Sequence, residues 1–396
     1  MKQNYLLGLI TLLLLALSAC QISVGENTLS GTAILWYPAG VNEERAVGAI
    51  LKQFADINPA VRIVAVPIEE DELAQRFRDT VEQGLGPDMV VGLNSYIGEW
   101  ADTGLIRPVL TDTVNLTLFS DTVVHSAEYQ NQLYGVPLAL RPQAFLINHP
   151  VETTPLPSPP PSLDALLQQT DAGELALLNA NFWSAYWGIK SFGGNARLDA
   201  DGRVTFSADA IRAWLGWLKQ TQDNPNLIIS RDDIALRSLF LEGDSTYYIA
   251  DYEFLSDALS VLTDTLQIAA LPVGTVSRSG SPLIMETLLF NAESSDAQIA
   301  ITNALARFFV TAEPQSVLLR LTDRVPANRL VRIDARIYPA IAALKAQAQA
   351  AIPYPNGLPF AEIEAIGNFM IANVLSDVST VDEAVCQFGE SVNFLL

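Results

Sequence analysis

The stretch from Asn181 to Asn195 concentrates side chains that could bind a flat ligand. It reads NFWSAYWGIKSFGGN, and its aromatic residues are Phe182, Trp183, Tyr186, Trp187 and Phe192. Rigid aromatic faces can form an apolar platform, and the short polar side chains among them can hold hydroxyl groups. A rich piece of hydrophobic core would have the same composition. Two interpretations therefore remain open here, a binding platform and a core segment.

Residues for catalysis or metal binding are scarce. The chain has two cysteines, Cys20 and Cys386, and two histidines, His125 and His149. This set is too small for an ordinary zinc site, so we predict no metal and no cofactor, and an inert buried thiol at Cys386. The motifs GxSxG, HExxH, GxxxxGK[ST] and GxGxxG do not occur in the sequence. We therefore predict that the protein is not an enzyme, with a secreted carbohydrate-active enzyme using an unrecognised carboxylate pair as an alternative.

The composition excludes one class of partner. Asp and Glu total 44 against 23 Lys and Arg, which gives a formal net charge of −21. Such a surface repels phosphate backbones, so we predict no nucleic-acid partner. Hydrophobic residues make up 49% of the 396 residues, which is enough for a large core in two or three domains.

The N-terminal segment MKQNYLLGLITLLLLALSAC has the pattern of a secretory signal. Its apolar run, from Tyr5 to Leu17, is too short to cross a hydrocarbon layer of about 30 Å as a mature helix. The ending Leu-Ser-Ala-Cys20 resembles the bacterial lipobox, in which the cysteine is lipidated and becomes the first mature residue. We predict a signal peptide over residues 1–19 and a lipidated Cys20 with a flexible linker over residues 20–31, which would anchor the mature protein outside the cytoplasm. Ordinary signal cleavage with an incidental cysteine is the alternative.

From Thr32 onward, strand-type and helix-type segments alternate. TAILWY, VRIVAVPI and GPDMVVGL are typical of strands, whereas NEERAVGAILKQFADINP and DELAQRFRDTVEQG have apolar residues at helical spacing. This β-α-β-α-β order predicts a parallel α/β sheet whose loops meet at the carboxyl ends of the strands, where ligands bind in such folds.

Three later segments have local signatures. The proline-dense run TTPLPSPPPS favours a stiff surface loop over an interdomain linker, followed by a helix that begins near Ser162. LDADGRVTF predicts a hairpin with an Asp-Gly turn. SADAIRAWLGWLKQ places Trp214 on the apolar face of a helix and therefore in the core.

Ten segments occur in an order that is informative as a whole. They are the lipobox, ILWY, GLGPDMVVGLNSYIGEWADTGLI, LYGVPLALRPQAFLIN, the aromatic segment ending in Gly193-Gly194, LDADGRVTFSADAIRAWLGWL, IAALPVG, ALARFFVTAEPQSVLLRL, RVPANR and STVDEAV. Together they cover nearly the whole mature chain and resemble the extracellular solute-binding proteins of bacterial ABC importers, in particular the sugar-binding, maltose-binding-protein-like group.

The resemblance implies a two-lobe periplasmic-binding-protein fold of type II, with the ligand in a cleft between α/β lobes and a hinge of several strands. Lobe 1 is expected over residues 32–137 plus 273–325, and lobe 2 over residues 138–272 plus 326–396. Crossings are expected near 136–140, 271–273 and 325–327. The implied function is capture of a mono- or oligosaccharide by lobe closure and delivery, by a lipid-anchored monomer, to the membrane subunits of an ABC permease. Alternatives on the same fold are binders of an acidic sugar, a polyamine or a peptide.

The resemblance also places candidate ligand contacts in the first lobe. Tyr37 follows a strand and faces a loop, so we expect it to reach the cleft. Asn94, Ser95 and Tyr96 fall in the loop that binds hydroxyl groups in the family. A helix N-cap is the competing role for Asn94 or Ser95.

In the second lobe, the aromatic segment supplies the candidates. Counting back from the glycine pair, Trp183 falls on a stacking position and Asn181 on a polar contact to hydroxyls. Trp187 is expected to line the cleft or pack beneath it. Core packing is the competing role for Trp183.

Four further candidates lie where the chain departs from the family pattern. Arg141 replaces a polar or acidic residue on the hinge strand, and Tyr252, Glu253 and Phe254 stand in place of a proline–tryptophan pair. Glu364 lies where an aromatic residue is common. Arg141 is expected either to pair with a glutamate across the hinge or to hold the carboxylate of an acidic sugar.

Overall fold

The computed structural model describes residues 29–110, 112–149, 158–198 and 204–395. The predicted signal peptide, Cys20 and most of the linker lie outside these ranges, as does much of the proline-dense run. Within them, no helix is both long and apolar enough to span a membrane.

The strands alternate with helices along most of the chain. The strands are β1 (Gly31–Pro38), β2 (Val61–Ile68), β3 (Met89–Leu93), β4 (Glu128–Tyr129), β5 (Gln132–Leu133), β6 (Gly135–Arg141), β7 (Ala144–Asn148), β8 (Ala176–Asn179), β9 (Ala196–Leu198), β10 (Val204–Phe206), β11 (Leu227–Ser230), β12 (Tyr247–Ala250), β13 (Leu266–Ala269), β14 (Ile284–Phe290) and β15 (Val325–Pro326). The helices are α1 (Val41–Ile57), α2 (Glu70–Glu82), α3 (Ile97–Asp102), α4 (Asp121–His125), α5 (Leu163–Asp171), α6 (Tyr186–Ser191), α7 (Ala208–Thr221), α8 (Asp233–Leu241), α9 (Leu255–Leu262), α10 (Asp296–Phe309), α11 (Ala312–Thr322), α12 (Pro339–Ala348), α13 (Phe360–Leu375) and α14 (Val381–Leu395).

Two sheets define the two lobes. The first has the order β15-β6-β14-β3-β1-β2, and the second has the order β11-β8-β12-β7-β13. β1 pairs in parallel with β2 and β3, as the β-α-β-α-β pattern predicts. β7, by contrast, runs antiparallel to both β12 and β13. The predicted α/β fold with two lobes is confirmed.

Local sequence explains where individual helices begin and which face they bury. Ser162 caps α5 by accepting a hydrogen bond from the backbone N–H of Ala165, which places the helix start where the sequence predicted it. In α10, Ser295 and Gln298 form a reciprocal capping box. Such caps satisfy backbone groups that would otherwise lack partners at a helix end.

The hinge begins in the short connection between β6 and β7. β6 ends at Arg141 in the first sheet and β7 starts at Ala144 in the second, so the chain changes lobe within two residues. The predicted boundary between 137 and 138 therefore falls inside β6, and strand pairing moves it to the end of that strand. Sequence alone did not locate this change of sheet, because both strands are strongly apolar and only Arg141, Pro142 and Gln143 separate their apolar runs.

Two further crossings complete the hinge. The segment 270–283 leads from β13 back to β14 in the first sheet, and the chain after β15 leads to α12, which packs on β13. The C-terminal helices α13 and α14 then pack on α7 of the second lobe. Cleft residues therefore come from distant parts of the sequence.

Three predictions concern the packing of individual side chains and strands. Trp214 is 1% exposed and lies in the core of the second lobe, as predicted. β9 and β10 form the predicted antiparallel hairpin, whose turn lies outside the described residues. Cys386 was predicted to be buried, and this is wrong: the thiol is exposed, because the apolar face of α14 turns Val385 and Phe388 inward instead.

Candidate functional site

Two connected cavities lie at the hinge and between the lobes. The smaller, of about 200 Å³, is called the aromatic cavity here and is lined by Arg141, Gln143, Trp183, Ser184, Asp251, Tyr252, Glu253, Ser281, Pro282, Ile284, Tyr354 and Phe360. The larger, of about 780 Å³, is called the acidic cavity; its charged lining residues are Glu43, Glu70, Asp71, Arg141, Glu253, Glu286, Asp323 and Arg324. Both share Arg141, Tyr252 and Glu253, so together they form one cleft.

An aromatic stack forms one wall of the aromatic cavity. The ring of Phe360 lies between those of Trp183 and Tyr354, with centroid distances of 4.0 and 4.8 Å and interplanar angles of 12° and 21°. The indole N–H of Trp183 also donates to the backbone carbonyl of Phe360 at 3.0 Å. The wall therefore joins the aromatic segment of the second lobe to the start of α13.

This stack changes the role expected for Trp183. The residue lines the cavity, but it is 7% exposed, and Phe360 covers one of its faces at van der Waals distance. Tyr186 lies near it as well, with a centroid distance of 5.5 Å. Trp183 is thus part of the cavity wall and part of the core, whereas Phe360 is half-buried and more accessible.

Polar groups crowd the same cavity. The Asp251 carboxylate accepts hydrogen bonds from Gln143 Nε2 and Ser184 Oγ, both at 2.7 Å. Gln143 Nε2 also donates to the backbone carbonyl of Ser184 at 2.8 Å. These two acceptors fix the orientation of the amide, and they leave its Oε1 buried with no hydrogen-bond partner among the described residues. Gln143 is 6% exposed, so its Oε1 needs a donor that a ligand could supply.

Arg141 belongs to a charged network on the first sheet. Its Nε and Nη2 donate to Glu286 Oε1 at 3.0 and 2.7 Å, and its Nη1 contacts Glu70 at 2.5 Å. The other oxygen of Glu286 accepts from Arg324 Nε at 2.7 Å, and Arg324 also contacts Glu43 at 3.1 Å. Two guanidinium groups are thus shared among three carboxylates.

The network controls the protonation of its central residue. Burial alone would raise the pKa of Glu286, but the guanidinium groups of Arg324 and Arg141 lower that pKa to about 2. Burial, reinforced by the charge of Glu286, raises the pKa of Tyr252 to about 12. Glu286 is therefore a fixed negative charge at neutral pH.

Carboxylates outside the network behave differently. Glu253 is an exposed residue, but the surrounding walls of the cleft partly withdraw its carboxylate from water, and this, reinforced by the charge of Asp251, raises its pKa. The same two causes raise the pKa of Glu364, and the positive charge of Arg231 partly offsets this rise. These shifts mark carboxylates that lack a full counter-charge.

Of the candidates from the first lobe, Asn94 has a structural role. It is fully buried; its Nδ2 donates to the carbonyls of Ser126 and Leu283 and its Oδ1 accepts from the N–H of Met285, so no group remains for a ligand. The helix-cap role is also wrong, because neither Asn94 nor Ser95 caps the helical turns that follow β3. Ser95 is half-buried and does not line the cleft described above.

Tyr37 and Tyr96 also lie apart from the main cleft. Tyr37 is 5% exposed and packs in the core of the first lobe, where burial and then Glu44 raise its pKa. Tyr96 stacks on Trp100 and borders a recess of about 10 Å³ beside Arg141, which is room for about one water.

Among the candidates from the second lobe, Tyr252 and Glu253 line both cavities. Trp187 does not: it is 1% exposed and packs edge-on against Trp214 in the core. Asn181 is half-buried and its amide points to the backbone carbonyl of Arg231 at 3.4 Å, outside the lining of either cavity. Glu364 is half-buried near Asp251 without lining the cavities itself.

Arg141 lines the cleft, and its guanidinium group pairs with two glutamates. The partners are Glu286 and Glu70. Pairing across the hinge was expected, but both partners lie on the first lobe. From the second lobe, the side chain of Tyr252 lies beside Arg141, whose guanidinium carbon is 5.6 Å from the centroid of the tyrosine ring.

The structure also brings in residues that sequence reasoning missed. They are Gln143, Ser184, Asp251, Glu286 and Tyr354. A usable signal existed for Asp251, which directly follows a buried strand and precedes the Tyr252 turn. No local signal marks Glu286, whose partner Arg141 is 145 positions away.

The described part of the chain contains no group of three or more His, Cys, Asp or Glu arranged to hold a metal ion. The cleft therefore offers aromatic faces, carboxylates and amide or hydroxyl groups as its recognition chemistry. These groups suit a small polar ligand with apolar faces.

Solved structures of sugar-binding proteins have a similar fold. A cyclo/maltodextrin-binding protein in complex with maltotetraose has a TM-score of 0.77 at 18% identity, covering 91% of this chain and 96% of that one. The maltose-binding periplasmic protein of Listeria monocytogenes in complex with maltose has a TM-score of 0.75 at 16% identity, covering 91% and 96%. At such identities the likeness concerns the fold.

Sequence comparison supplies the family. A maltotriose-binding protein of Pyrococcus abyssi is 25% identical over 129 residues, which span 32% of this chain and 28% of that relative's length. The family model for bacterial extracellular solute-binding proteins matches residues 49–346, well over half of the chain. The protein therefore belongs to the family of bacterial extracellular solute-binding proteins.

Proposed function

We propose that the protein captures a mono- or oligosaccharide in the cleft outside the cytoplasm and delivers it to an ABC permease. The observation that carries this proposal is the composition of the aromatic cavity. Four aromatic residues, Trp183, Tyr252, Tyr354 and Phe360, line it together with the polar groups of Gln143, Ser184 and Asp251. The relatives named for maltotriose, maltotetraose and maltose support the same ligand class.

Sugar chemistry matches this lining. A pyranose presents C–H groups on its faces and hydroxyl groups around its edge. Aromatic rings pack against the faces, while carboxylates and amides exchange hydrogen bonds with the edge. Tyr252 is half-buried and is the proposed stacking partner, because Trp183 and Tyr354 cover both faces of the ring of Phe360.

The proposed mechanism is closure of the lobes around the sugar. Glu70 and Glu43 line the cleft from the first lobe, and Tyr252, Glu253 and Leu255 line it from the second. A ligand shifts an open–closed equilibrium only if it binds the closed form more tightly, which requires contacts to both lobes. The permease then distinguishes loaded from empty protein by the closed arrangement.

An acidic sugar is a weaker candidate. Arg141 and Arg324 are the basic residues in the described lining, and their guanidinium groups already contact Glu43, Glu70 and Glu286. A ligand carboxylate would have to displace one of these buried partners. We therefore propose a ligand without negative charge.

Binding is best tested by calorimetry with maltose, maltotriose, maltotetraose, galacturonate, spermidine and a dipeptide. We expect a neutral or amino saccharide to bind and galacturonate not to bind. Ligand at 100 times its dissociation constant should stabilise the fold by about 2.7 kcal/mol, measurable as a thermal shift. Absence of binding to every saccharide, with binding of spermidine or the peptide, would overturn the proposal.

Two variants on one helix locate the site. Phe360→Ala removes the central ring of the cavity wall, against which Trp183 and Tyr354 pack, and is expected to weaken sugar binding by about tenfold, or roughly 1.4 kcal/mol. Phe369→Ala is the matched control, because Phe369 is 64% exposed on the same helix and does not line the cleft. Equal affinities of the two variants would place the sugar elsewhere.

Binding without catalysis is part of the proposal. The relatives are binding proteins, and the cleft carboxylates Asp251 and Glu253 are given a recognition role here. Incubation of the protein with maltotetraose followed by chromatography tests this directly. Release of shorter sugars would favour the alternative of a carbohydrate-active enzyme.

Membrane anchoring through Cys20 is also proposed, on the basis of the sequence Leu-Ser-Ala-Cys20 after an apolar run. Two acyl groups are typical of a stable anchor, since a single chain binds a membrane only reversibly. In cells fed labelled palmitate, the full chain should incorporate label and Cys20→Ser should not. Equal labelling of both would exclude this site of lipidation.

A further inference from the structure

The cleft has a strong excess of negative charge. Its described lining contains seven acidic residues against two basic ones. The acidic residues are Glu43, Glu70, Asp71, Asp251, Glu253, Glu286 and Asp323. Arg141 and Arg324 are shared among Glu43, Glu70 and Glu286, so the other four carboxylates have no cationic partner within this lining.

A second observation concerns hydrogen-bond polarity. Gln143 is more than nine-tenths buried, lines the aromatic cavity, and has an Oε1 without a hydrogen-bond partner among the described residues. Its Nε2 is directed to Asp251 and Ser184, which leaves the acceptor available to a ligand. The Asp251 carboxylate receives two hydrogen bonds and has capacity for more. The aromatic cavity therefore presents hydrogen-bond acceptors, which a ligand with hydrogen-bond donors would satisfy.

The aromatic wall is compatible with a cation at the same place. Ring faces attract cations within about 6 Å of their centroids. Tyr252 already does so inside the cleft, because the guanidinium carbon of Arg141 lies 5.6 Å from its centroid. Phe360 has no face available for a cation, because Trp183 and Tyr354 stack on both sides of its ring.

Resting on the proposed function, we propose that the preferred ligand is a saccharide with a free ammonium group, an amino sugar, rather than its neutral counterpart. An ammonium group has three N–H donors, no acceptor and a positive charge. It can donate hydrogen bonds to Gln143 Oε1 and to the Asp251 carboxylate at the same time. Its positive charge also offsets the negative charge of the cleft carboxylates, which lobe closure would otherwise withdraw from water uncompensated. A hydroxyl group at the same position supplies one donor and no charge.

Glu253 is a second carboxylate in the lining of the cleft, and the charges of Asp251, Arg141 and Glu70 act on it. Its raised pKa means that the carboxylate lacks stabilisation, which an ammonium group would provide. Binding of the amino sugar should therefore lower that pKa.

The test is calorimetry on the purified protein with matched saccharides. Glucosamine, glucose and N-acetylglucosamine form one set; the β-1,4 disaccharide of glucosamine, cellobiose and maltose form a second. We expect each amino sugar to bind at least about tenfold more tightly than its neutral counterpart. This preference should shrink as ionic strength rises from about 0.02 to 0.5 M, because exposed charges in the cleft are then screened.

Three variants connect the preference to the proposed residues. Asp251→Asn and Glu253→Gln should reduce the ratio of affinities for amino and neutral sugar, and Glu253 is exposed, so its replacement should leave folding intact. Glu362→Gln is the control, because this exposed carboxylate lies at the start of α13 outside the cleft lining. An unchanged ratio in both cleft variants would overturn the assignment.

The outcomes separate the inference from the function beneath it. A neutral saccharide that binds as tightly as its amino counterpart overturns the ammonium assignment and leaves sugar binding in place. Failure of every saccharide to bind overturns the proposed function, and the ammonium assignment falls with it. Tight binding of the amino sugars alone supports both.

Discussion

Replacing Glu286 with glutamine should destabilise the protein more than any comparable charge removal on its surface. Glu286 is 3% exposed on β14 and accepts from Arg141 and Arg324, which are themselves 8% and 9% exposed. Glutamine keeps the shape but removes the charge, and its amide N–H groups would face a guanidinium donor. Two buried cations would then lose their shared counter-ion.

The magnitude follows from the pKa of Glu286. Its lowering from 4.5 to about 2 by the two guanidinium groups corresponds to about 3 kcal/mol of stability at neutral pH. Removal of one partner from a buried ion pair costs a similar 3–5 kcal/mol or so. We therefore expect Glu286→Gln to lower the free energy of unfolding by about 3 kcal/mol, or the melting temperature by about 4 °C for a chain of this size.

The pH dependence gives this prediction a second, independent readout. A carboxylate whose pKa is depressed on folding stabilises the native state above its unfolded pKa, and the effect is lost as pH falls through the folded pKa. The difference between wild type and Glu286→Gln should therefore be constant above about pH 5 and shrink towards pH 2. Urea denaturation at a series of pH values measures it.

The control is Glu99→Gln. Glu99 forms an ion pair with Arg78 at 2.8 Å, but the side chains are 55% and 31% exposed. Solvent screening limits such a pair to about 1 kcal/mol or less. If Glu286→Gln were no more costly than Glu99→Gln at pH 7, or if its effect grew towards acid pH, the reasoning about the buried network would be refuted.

Two further variants and one labelling experiment test the packing. Trp187→Ala should lower stability by about 3–5 kcal/mol in urea denaturation yet leave the sugar affinity of the folded protein unchanged, since Trp187 is core; a loss of affinity would contradict this. Gly367→Ala should cost about 1–3 kcal/mol, because its Cβ would lie 2.3 Å from the ring of Phe182; an unchanged melting temperature would argue against this packing. Cys386 is exposed and should react with a thiol reagent under native conditions without any change in melting temperature, and protection of the thiol until unfolding would show that it is buried.

The parts of the fold that sequence predicted are those with local causes. Apolar spacing over one helix or strand is enough to indicate α1, α2 and β1 to β3, and Ser162 marks the start of α5. The hairpin of β9 and β10 follows from an Asp-Gly turn between strand-type residues. The lobe boundary was missed because β6 and β7 are both buried and differ only in which sheet they join.

The candidate site was predictable only where position in the chain determines position in the cleft. Tyr252 and Glu253 follow β12 at its carboxyl end and therefore reach the cleft, as expected. Asn94 follows β3 in the same way, but three backbone groups compete for its amide, and a local sequence pattern contains no information about them. Glu286 and Tyr354 reach the site from strands and loops far along the chain.

The contacts of Arg141 show why such distant partners matter for the ligand proposed above. Considered alone, an arginine on the hinge strand suggests an anionic solute, because a guanidinium group binds carboxylates well. In the structure that capacity is taken by Glu70 and Glu286, and Arg324 is occupied in the same manner. A buried carboxylate with a pKa near 2 does not yield its partners to a competing anion without losing the stabilisation worked out above. Even with two arginines, the cleft therefore keeps an excess of negative charge. The lining groups that remain available for ligand recognition are hydrogen-bond acceptors and aromatic rings.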